Sequence, residues 1–309
     1  MPLKTIKTDT AEALTLEWVL HVKHYKLAID KNLCKGCQIC ALACPKEAVT
    51  IEKQPKTSGE KTNKARIDVN LAKCNFCGIC DILCPYGAIK MTLNGERHLS
   101  VVDKESFPQL IRYIQVNSAK YSPTSDIKKI CPLDLISVTW STPDSKKVEN
   151  LAVLAEVEKH ETHAEIVIEK ERCPCCRVCE FKLPEGTVQV RKFIEGKIAI
   201  YPEKCPEGCT DCLDVCPITG ALYLSAADKK VNVNETFCVY CGACKVVCPV
   251  PEALELKRTK INHTPVHSGA WNKALERLAS PLEMTKELKT KGSQKARESV
   301  AKRLEYKVK

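Results

Sequence analysis

Twenty of the 21 cysteines in this 309-residue chain fall into short runs with one repeated spacing. A complete run separates its first three cysteines by two residues each, adds a fourth after three more, and continues with proline. Apolar residues alternate on both sides of each run, which predicts a strand before it and another after it. Four runs are complete, and the third has one extra residue after its first cysteine: Cys34-Cys37-Cys40-Cys44, Cys74-Cys77-Cys80-Cys84, Cys205-Cys209-Cys212-Cys216 and Cys238-Cys241-Cys244-Cys248.

This spacing is that of the bacterial ferredoxin run, in which three thiolates hold one [4Fe–4S] cube and the fourth reaches the neighbouring cube. Zinc ribbons also use paired cysteines, but they need no third and fourth cysteine followed by proline. Radical enzymes that use S-adenosylmethionine share the spacing of Cys205, Cys209 and Cys212. In this chain Cys216-Pro217 completes a ferredoxin run, and the remaining sequence is too short for the barrel of those enzymes. The runs therefore predict iron–sulfur ligation.

Two further units in the middle of the chain carry incomplete runs. In the first unit, the segment 114–120 repeats the pattern of 67–73, but only the fourth position of the run is a cysteine, Cys131, followed by proline. The second unit keeps its first three cysteines, and Leu183-Pro184 takes the fourth position. Under the exchange rule, all the losses fall on one cube, whose four positions are Tyr121, Thr124, Ile127 and Leu183.

The surviving cysteines of these two units form one complete set, so we expect five [4Fe–4S] cubes. The alternative is that Cys131 is a buried thiol unconnected with Cys173. Cys175, the remaining cysteine, is expected to be a free thiol near a cluster. The five predicted ligand sets are Cys34, Cys37, Cys40 and Cys84; Cys74, Cys77, Cys80 and Cys44; Cys131, Cys173, Cys176 and Cys179; Cys205, Cys209, Cys212 and Cys248; and Cys238, Cys241, Cys244 and Cys216.

The expected fold class is α+β, with three tandem bacterial-type 2[4Fe–4S] ferredoxin-like modules, a degenerate middle one and a basic helical C-terminal tail. Modules of about 60 residues bury too little apolar surface to be stable through hydrophobic burial alone. The protein without iron should therefore be largely unfolded. The predicted divisions are an N-terminal extension (1–25), module 1 (26–95), module 2 with an insertion (96–194), module 3 (195–257) and the tail (258–309).

Several segments outside the runs leave alternatives open. Residues 11–23 are predicted to be helical or extended against module 1. The insertion, with a short amphipathic helix over Val148–His160, is either a surface excursion or a docking surface. Short helices are predicted at Trp271–Leu278, Leu282–Leu288 and Ala296–Tyr306, in a tail that is either solvated or wrapped around an acidic partner.

The charge of the chain divides at the end of the last module. Residues 258–309 contain 13 Lys+Arg and 5 Asp+Glu, whereas the body is nearly balanced. Each oxidised cube with its four thiolates adds about two negative charges, so five cubes would bring the body to about −8. We expect an acidic electron carrier with a basic tail and no nucleic-acid partner. No stretch is long and apolar enough to span a membrane, and metal-spaced thiols without a signal peptide predict the reducing cytoplasm of an anaerobe.

No dinucleotide loop, catalytic triad or paired carboxylates can be placed in the sequence, so we expect no catalytic site, and whether the chain is itself an enzyme stays open. The stretch 27–256 resembles the polyferredoxins of methanogenic archaea, on its four complete runs, two incomplete ones and repeated flanking strands. Within them it looks most like the electron-transfer F subunit of formylmethanofuran dehydrogenase, which has four fully occupied modules where this chain has three. Hydrogenase-associated polyferredoxins are the nearest alternative.

The resemblance implies one-electron transfer between [4Fe–4S] cubes, as a subunit of a redox complex. The implied partners are a molybdenum or tungsten formylmethanofuran dehydrogenase, a hydrogenase or a heterodisulfide reductase, with soluble ferredoxin as a further partner. Lys35, Lys73 and Lys245, beside the ligands, are predicted to raise cluster potentials. A different class of function is an iron–sulfur scaffold that joins catalytic subunits, which the insertion, Leu183 and the basic tail favour.

Overall fold

The computed structural model describes residues 2–53, 65–121, 129–141, 147–148, 163–227, 229–266 and 268–279. The predicted helices at Val148–His160, Leu282–Leu288 and Ala296–Tyr306 lie outside these ranges, except for Val148, which ends a strand. Within them, no helix is long and apolar enough to cross a membrane.

The described residues form short strands and helices of one to three turns. The helices are α1 (Ile39–Ala43), α2 (Ile79–Leu83), α3 (Ser100–Asp103), α4 (Val178–Lys182), α5 (Asp211–Val215), α6 (Ala243–Val247) and α7 (Gly269–Leu278). The strands are β1 (Lys4–Asp9), β2 (Ala13–Val19), β3 (His24–Asp30), β4 (Val49–Lys53), β5 (Ala65–Val69), β6 (Ile89–Leu93), β7 (Glu96–Arg97), β8 (Tyr113–Val116), β9 (Ile136–Ser141), β10 (Lys147–Val148), β11 (His163–Ile168), β12 (Val188–Arg191), β13 (Ile194–Ile200), β14 (Leu222–Leu224), β15 (Val231–Val233) and β16 (Leu254–Ile261).

One pattern of strand pairing recurs in the first region (26–95), the middle region (96–194) and the third region (195–257). In the first region the outermost strands β3 and β6 pair antiparallel, and so do β4 and β5 between them. The middle region repeats this with β8–β12 and β9–β11, and the third with β13–β16 and β14–β15. The strands predicted beside the six runs are therefore confirmed. Each pairing brings the loops of two consecutive units together.

The N-terminal residues extend the sheet of the first region. Strands β1 and β2 form a hairpin, and β2 pairs with β3 to give the order β1-β2-β3-β6-β7. Leu14 and Leu16 alternate along β2 and are fully buried, as expected for a strand with one face on the core. Of the two alternatives for residues 11–23, the extended one is confirmed.

The C-terminal part of the described chain packs back on the body. Strand β16 runs to Ile261, across the predicted division at residue 257. Helix α7, predicted at Trp271–Leu278, is confirmed; the Ser268 hydroxyl caps it by accepting from the Trp271 amide. Trp271 is fully buried, with its ring edge-on to Phe107 at 5.1 Å. Its indole approaches His263 with a nitrogen-to-nitrogen distance of 3.2 Å, so the region 258–279 is part of the folded body.

Candidate iron–sulfur centres

The loops before four of the short helices use positive φ at two fixed positions. In three complete runs these are the second residue after the first cysteine and the residue before the helix. Alternation of this kind turns backbone N–H groups toward a common point and favours an anion there. The pairs are Gly36 and Gln38, Phe76 and Gly78, and Tyr240 and Gly242; the incomplete run has Cys175 and Arg177 in the same places.

Cys175 occupies the first of these two loop positions. Its φ of 57° puts it in the backbone position of Gly36, Phe76 and Tyr240, one residue before a ligand position. The side chain is fully buried, and its Sγ lies 3.9 Å from the Cys173 carbonyl oxygen. A hydrogen bond with Cys175 lowers the pKa of Cys173 to about 7. The same hydrogen bond, together with burial, raises the pKa of Cys175.

The fourth cysteines of the two runs in the first region share a local hydrogen bond, and Cys131 makes the same one. The sulfur accepts a hydrogen bond from the amide four residues later at 3.2–3.4 Å, because the chain turns after the Cys-Pro pair. The bonds are Ala48 N to Cys44 Sγ, Ala88 N to Cys84 Sγ and Leu135 N to Cys131 Sγ. The third residue after the position has positive φ in Glu47, Gly87, Asp134 and also Gly186, which follows Leu183. The turn is thus retained in both incomplete units.

The fold collects twenty thiols into five sets of four. In every set the third cysteine of a run has a raised pKa, first through burial and then through thiolates that include the other three members. We number the sets by their place in the molecule. Set 1 is Cys74, Cys77, Cys80 and Cys44; set 2 is Cys34, Cys37, Cys40 and Cys84; set 3 is Cys173, Cys176, Cys179 and Cys131; set 4 is Cys238, Cys241, Cys244 and Cys216; set 5 is Cys205, Cys209, Cys212 and Cys248.

The surroundings of Cys131 favour one of the two interpretations of the middle region. The pKa of Cys179 is raised to about 12, mainly by burial and then by the thiolates of Cys176, Cys173 and Cys131. The pKa of Cys176 is also raised to about 12, mainly by burial, and the thiolates of Cys173 and Cys131 contribute. The structure therefore brings Cys131 together with the three cysteines of the next unit, as the exchange of fourth ligands requires.

Apolar side chains occupy the other half of the middle region. Tyr121 and Leu183, at the first and fourth positions of the lost run, are both buried. The Tyr121 ring packs against Trp140 of β9 with a centroid distance of 5.7 Å. Thr124 and Ile127, the other two positions, lie outside the described residues. The two described positions thus contribute to an apolar core where the equivalent positions elsewhere present thiols.

The five sets fit [4Fe–4S] cubes in donor chemistry and in surroundings. Four thiols per set is the usual cube ligation. Among the described residues, no three His, Cys, Asp or Glu side chains are grouped closely enough to hold a single metal ion. The buried Tyr86 hydroxyl has no hydrogen-bond partner of good geometry within the described chain, and it faces Cys241. A sulfur of a cube on set 4 would be an acceptor for it.

The three predicted lysines differ in their surroundings. Lys73 and Lys245 are exposed, whereas the half-buried Lys35 donates to the Asn32 carbonyl, and its charge opposes the raised pKa of Cys34. Further cations beside the sets include Arg258, which is 7% exposed, and the half-buried Arg112 and Lys192. Sequence spacing could not indicate these three, because none lies inside a run.

Two stretches of the chain, residues 33–88 and 197–249, each match the 4Fe–4S dicluster domain. The fold, the thiol sets and these matches define an iron–sulfur protein with two dicluster domains, in its first and third regions. Such domains bind [4Fe–4S] clusters through the cysteines of their runs.

The relatives are polyferredoxins and subunits of redox complexes. The chain is 34% identical over 94 residues to the polyferredoxin-like subunit of an aliphatic sulfonate oxidoreductase from Pyrococcus furiosus, over 27% of this chain and 53% of that protein. It is 33% identical over 109 residues to polyferredoxin protein MvhB of Methanothermobacter marburgensis, over 33% of this chain and 25% of that one. The chain thus spans about half and a quarter of these two curated relatives.

One solved structure matches over almost the whole chain. It is a chain of the formate dehydrogenase–heterodisulfide reductase–formylmethanofuran dehydrogenase complex from Methanospirillum hungatei. The TM-score is 0.75 at 28% identity, and the match covers 91% of this chain and 92% of that one. The resemblance to polyferredoxins of methanogens and other archaea, predicted from the runs, is therefore confirmed.

Proposed function

We propose that this chain is a multi-cluster electron-transfer subunit that passes single electrons along five [4Fe–4S] cubes, one on each thiol set. The observation that carries the proposal is the assembly of twenty cysteines into five sets of four. When bound, the cubes supply the one-electron chemistry. The chain's own part is to hold the cubes at fixed separations, to shield them from water and to tune their potentials.

The same proposal includes a third ferredoxin-like module in the middle region, with one cube on set 3. Its support is the repeated strand pairing, the amide-to-sulfur hydrogen bond at Cys131 and the positive φ of Asp134. At the positions of the other cube, Tyr121 packs against Trp140, and Leu183 is buried.

For the partner, we propose a redox enzyme complex of the kind in which the structural neighbour is found. The match covers 92% of that neighbouring chain, which belongs to a complex of formate dehydrogenase, heterodisulfide reductase and formylmethanofuran dehydrogenase. Formylmethanofuran dehydrogenase is our first candidate partner, and heterodisulfide reductase is the second. The match to MvhB favours a hydrogenase-associated role as the alternative.

Anaerobic purification of the native protein, with partner subunits identified by mass spectrometry, tests the partner. Co-purification of a molybdenum or tungsten formylmethanofuran dehydrogenase would support the first candidate. A hydrogenase in its place would favour the alternative, and heterodisulfide reductase the second candidate.

An iron–sulfur scaffold is distinguished from a carrier by what the cubes do during turnover. In the purified complex, rapid freezing and electron paramagnetic resonance (EPR) follow the oxidation state of each cube. A carrier shows cubes that become reduced and reoxidised at the rate of the partner enzyme. Cubes that keep one oxidation state throughout turnover would contradict electron transfer and favour the scaffold.

A further inference from the structure

The first and third regions meet at their cysteine loops. After burial, the Cys241 thiolate is the leading cause that raises the pKa of Cys37, so set 2 and set 4 face each other directly. A Cβ added to Gly242 would stand 3.6 Å from the Cys37 carbonyl oxygen, which shows how closely the two loops approach. Tyr86 lies at the same contact, near the thiolates of Cys241 and Cys37.

Arg258 fills the contact between these two loops. Its Nε donates to the Tyr240 carbonyl at 2.8 Å, and its Nη2 donates to the Cys241 carbonyl at 2.6 Å. Burial lowers the pKa of this guanidinium, and the thiolates of Cys37 and Cys241 oppose that effect most strongly. One nearly inaccessible cation therefore lies between set 2 and set 4.

Arg112 makes the corresponding link between the first and middle regions. Its Nε donates to the Cys173 carbonyl at 3.1 Å, and its Nη2 donates to the Cys84 carbonyl at 3.0 Å. Cys84 belongs to set 2 and Cys173 to set 3, so one planar guanidinium holds a loop of each. The Phe193 ring, 5.0 Å from the guanidinium carbon, covers this cation.

Lys192 completes the arrangement between the middle and third regions. Its ammonium donates to the Glu235 carbonyl and lies 4.9 Å from the centre of the Tyr240 ring. Lys192 lines one cleft with Arg177 of the set 3 loop and with Glu235, which comes before the set 4 loop. Burial and Arg177 lower its pKa, whereas Cys238 of set 4, Glu235 and Cys176 of set 3 act in the opposite direction. Each pair among sets 2, 3 and 4 thus has a cation beside it.

We propose that sets 2, 3 and 4, when loaded, would form a triangular junction, with one cation on each edge, in which electrons are held more favourably than on sets 1 and 5. The inference rests on the proposed electron-transfer function. A reduced cube carries one more negative charge than an oxidised one, so a nearby cation in a low-dielectric setting favours reduction. The same cation reduces the repulsion between two neighbouring reduced cubes.

The triangle gives the chain three routes instead of one line. With cubes on all five sets, an electron that enters at set 1 or at set 5 would reach set 3 without passing through the opposite arm. The cubes held by sets 2 and 4 would exchange electrons along their own edge, whether or not set 3 carries a cube. The middle cube is then a branch point, which a partner docked on the middle region would use.

The test is a redox titration of the cluster-loaded protein, followed by EPR, for three charge-removing variants. Arg112→Gln should lower the potentials of the cubes on sets 2 and 3, Arg258→Gln those on sets 2 and 4, and Lys192→Gln those on sets 3 and 4. Each variant should leave the remaining inner cube nearly unchanged. Adding Cys131→Ala, which removes the cube on set 3, assigns the signals: Arg112→Gln and Lys192→Gln then shift one cube each, and Arg258→Gln still shifts two.

Two further variants separate charge from packing. Arg258→Lys keeps the charge, so both potentials should stay near those of the unaltered protein even where Arg258→Gln folds poorly. Lys73→Gln removes an equal charge from an exposed position beside set 1 and should give a much smaller shift, because solvent screens it.

The result that overturns the junction is a fully loaded protein in which these variants shift no potential, shift all five cubes alike, or shift only two of the three pairs. A protein with fewer than five cubes before any substitution would instead contradict the proposed function. The two failures are therefore distinguishable.

Discussion

The two halves of the middle region share the strand pairing and the turn after the fourth ligand position, and differ in the side chains placed there. In one half, Cys131 joins three cysteines of the next unit, and its sulfur accepts from the Leu135 amide. In the other, Tyr121 and Leu183 are buried, and Tyr121 packs against Trp140. The turn after Leu183 still has positive φ at Gly186, as the turn after Cys131 has at Asp134.

With a cube on set 3, as proposed, the comparison would mean that the ferredoxin-like backbone accepts either a metal cube or an apolar core at a given site. A cube binds its thiolates strongly and ties together loops that bury little apolar surface. Aromatic and leucine side chains give the same loops hydrophobic stabilisation, with no redox role. Loss of a cube at one site therefore need not disturb its neighbour.

The largest expected effect comes from removing all iron with a chelator under anaerobic conditions. We expect segments 198–205 and 248–256, which flank the cube on set 5, to lose amide protection almost completely. The equivalent segments of the lost site, 114–121 and 183–190, should keep more protection, because side chains fill it. Hydrogen exchange with mass spectrometry measures both, and equal loss in the two pairs would contradict the comparison.

Next in size is Cys131→Ala, which removes the fourth ligand of set 3. We expect the iron content to fall from about 20 to about 16 atoms per chain, since one cube of five is lost. Cys175→Ala is the matched control: this thiol is also buried, but it occupies a loop position outside the set, and all the iron should remain. Retention of all iron by the Cys131 variant would show that it is not a ligand.

A smaller effect is expected for Leu183→Ala, which opens a cavity in the lost site. Leucine-to-alanine changes in a core cost about 2–5 kcal/mol in the free energy of unfolding. The effect should be a lower denaturant midpoint for the middle region, with iron content unchanged. Val167→Ala, at a position that is 52% exposed in the same region, should change stability by less than about 0.5 kcal/mol. Loss of iron in the Leu183 variant would contradict the separation of the two halves.

The smallest predicted effect concerns the turn retained after the lost ligand. Gly186 has a φ of 81°, and left-handed backbone costs other residues about 1–2 kcal/mol, so Gly186→Ala should destabilise by about that amount. Gly269, at the start of α7, has negative φ and open space around its Cα, so Gly269→Ala should be neutral or slightly stabilising. Equal midpoints for the two variants would show that the turn has relaxed.

The sequence predicted the features that recur in each repeated unit, but not the contacts that join the units or the segments outside them. Strand pairs such as β9 and β11, and the meeting of Cys131 with Cys173, followed from the spacing of the runs and the exchange rule. Strand β1 and the packing of α7 on the body did not, because neither belongs to a repeated unit. The predicted ligand roles themselves remain part of the proposal.

Arg112 and Arg258 could not be assigned a role from the sequence. Each donates a hydrogen bond to the carbonyl of a cysteine at least 17 residues away along the chain. Their roles arise from how the regions pack, and a repeat pattern encodes only the inside of each region. Lysines beside the ligands were the natural prediction from sequence, yet Lys73 and Lys245 point into solvent.

The central claim is five cubes on five thiol sets, and iron and acid-labile sulfide analysis of the anaerobically purified chain tests it most directly. The account predicts about 20 iron and 20 sulfide per chain. About 16 would contradict a cube on set 3, and about 24 would contradict the replacement of the sixth cube by Tyr121, Trp140 and Leu183.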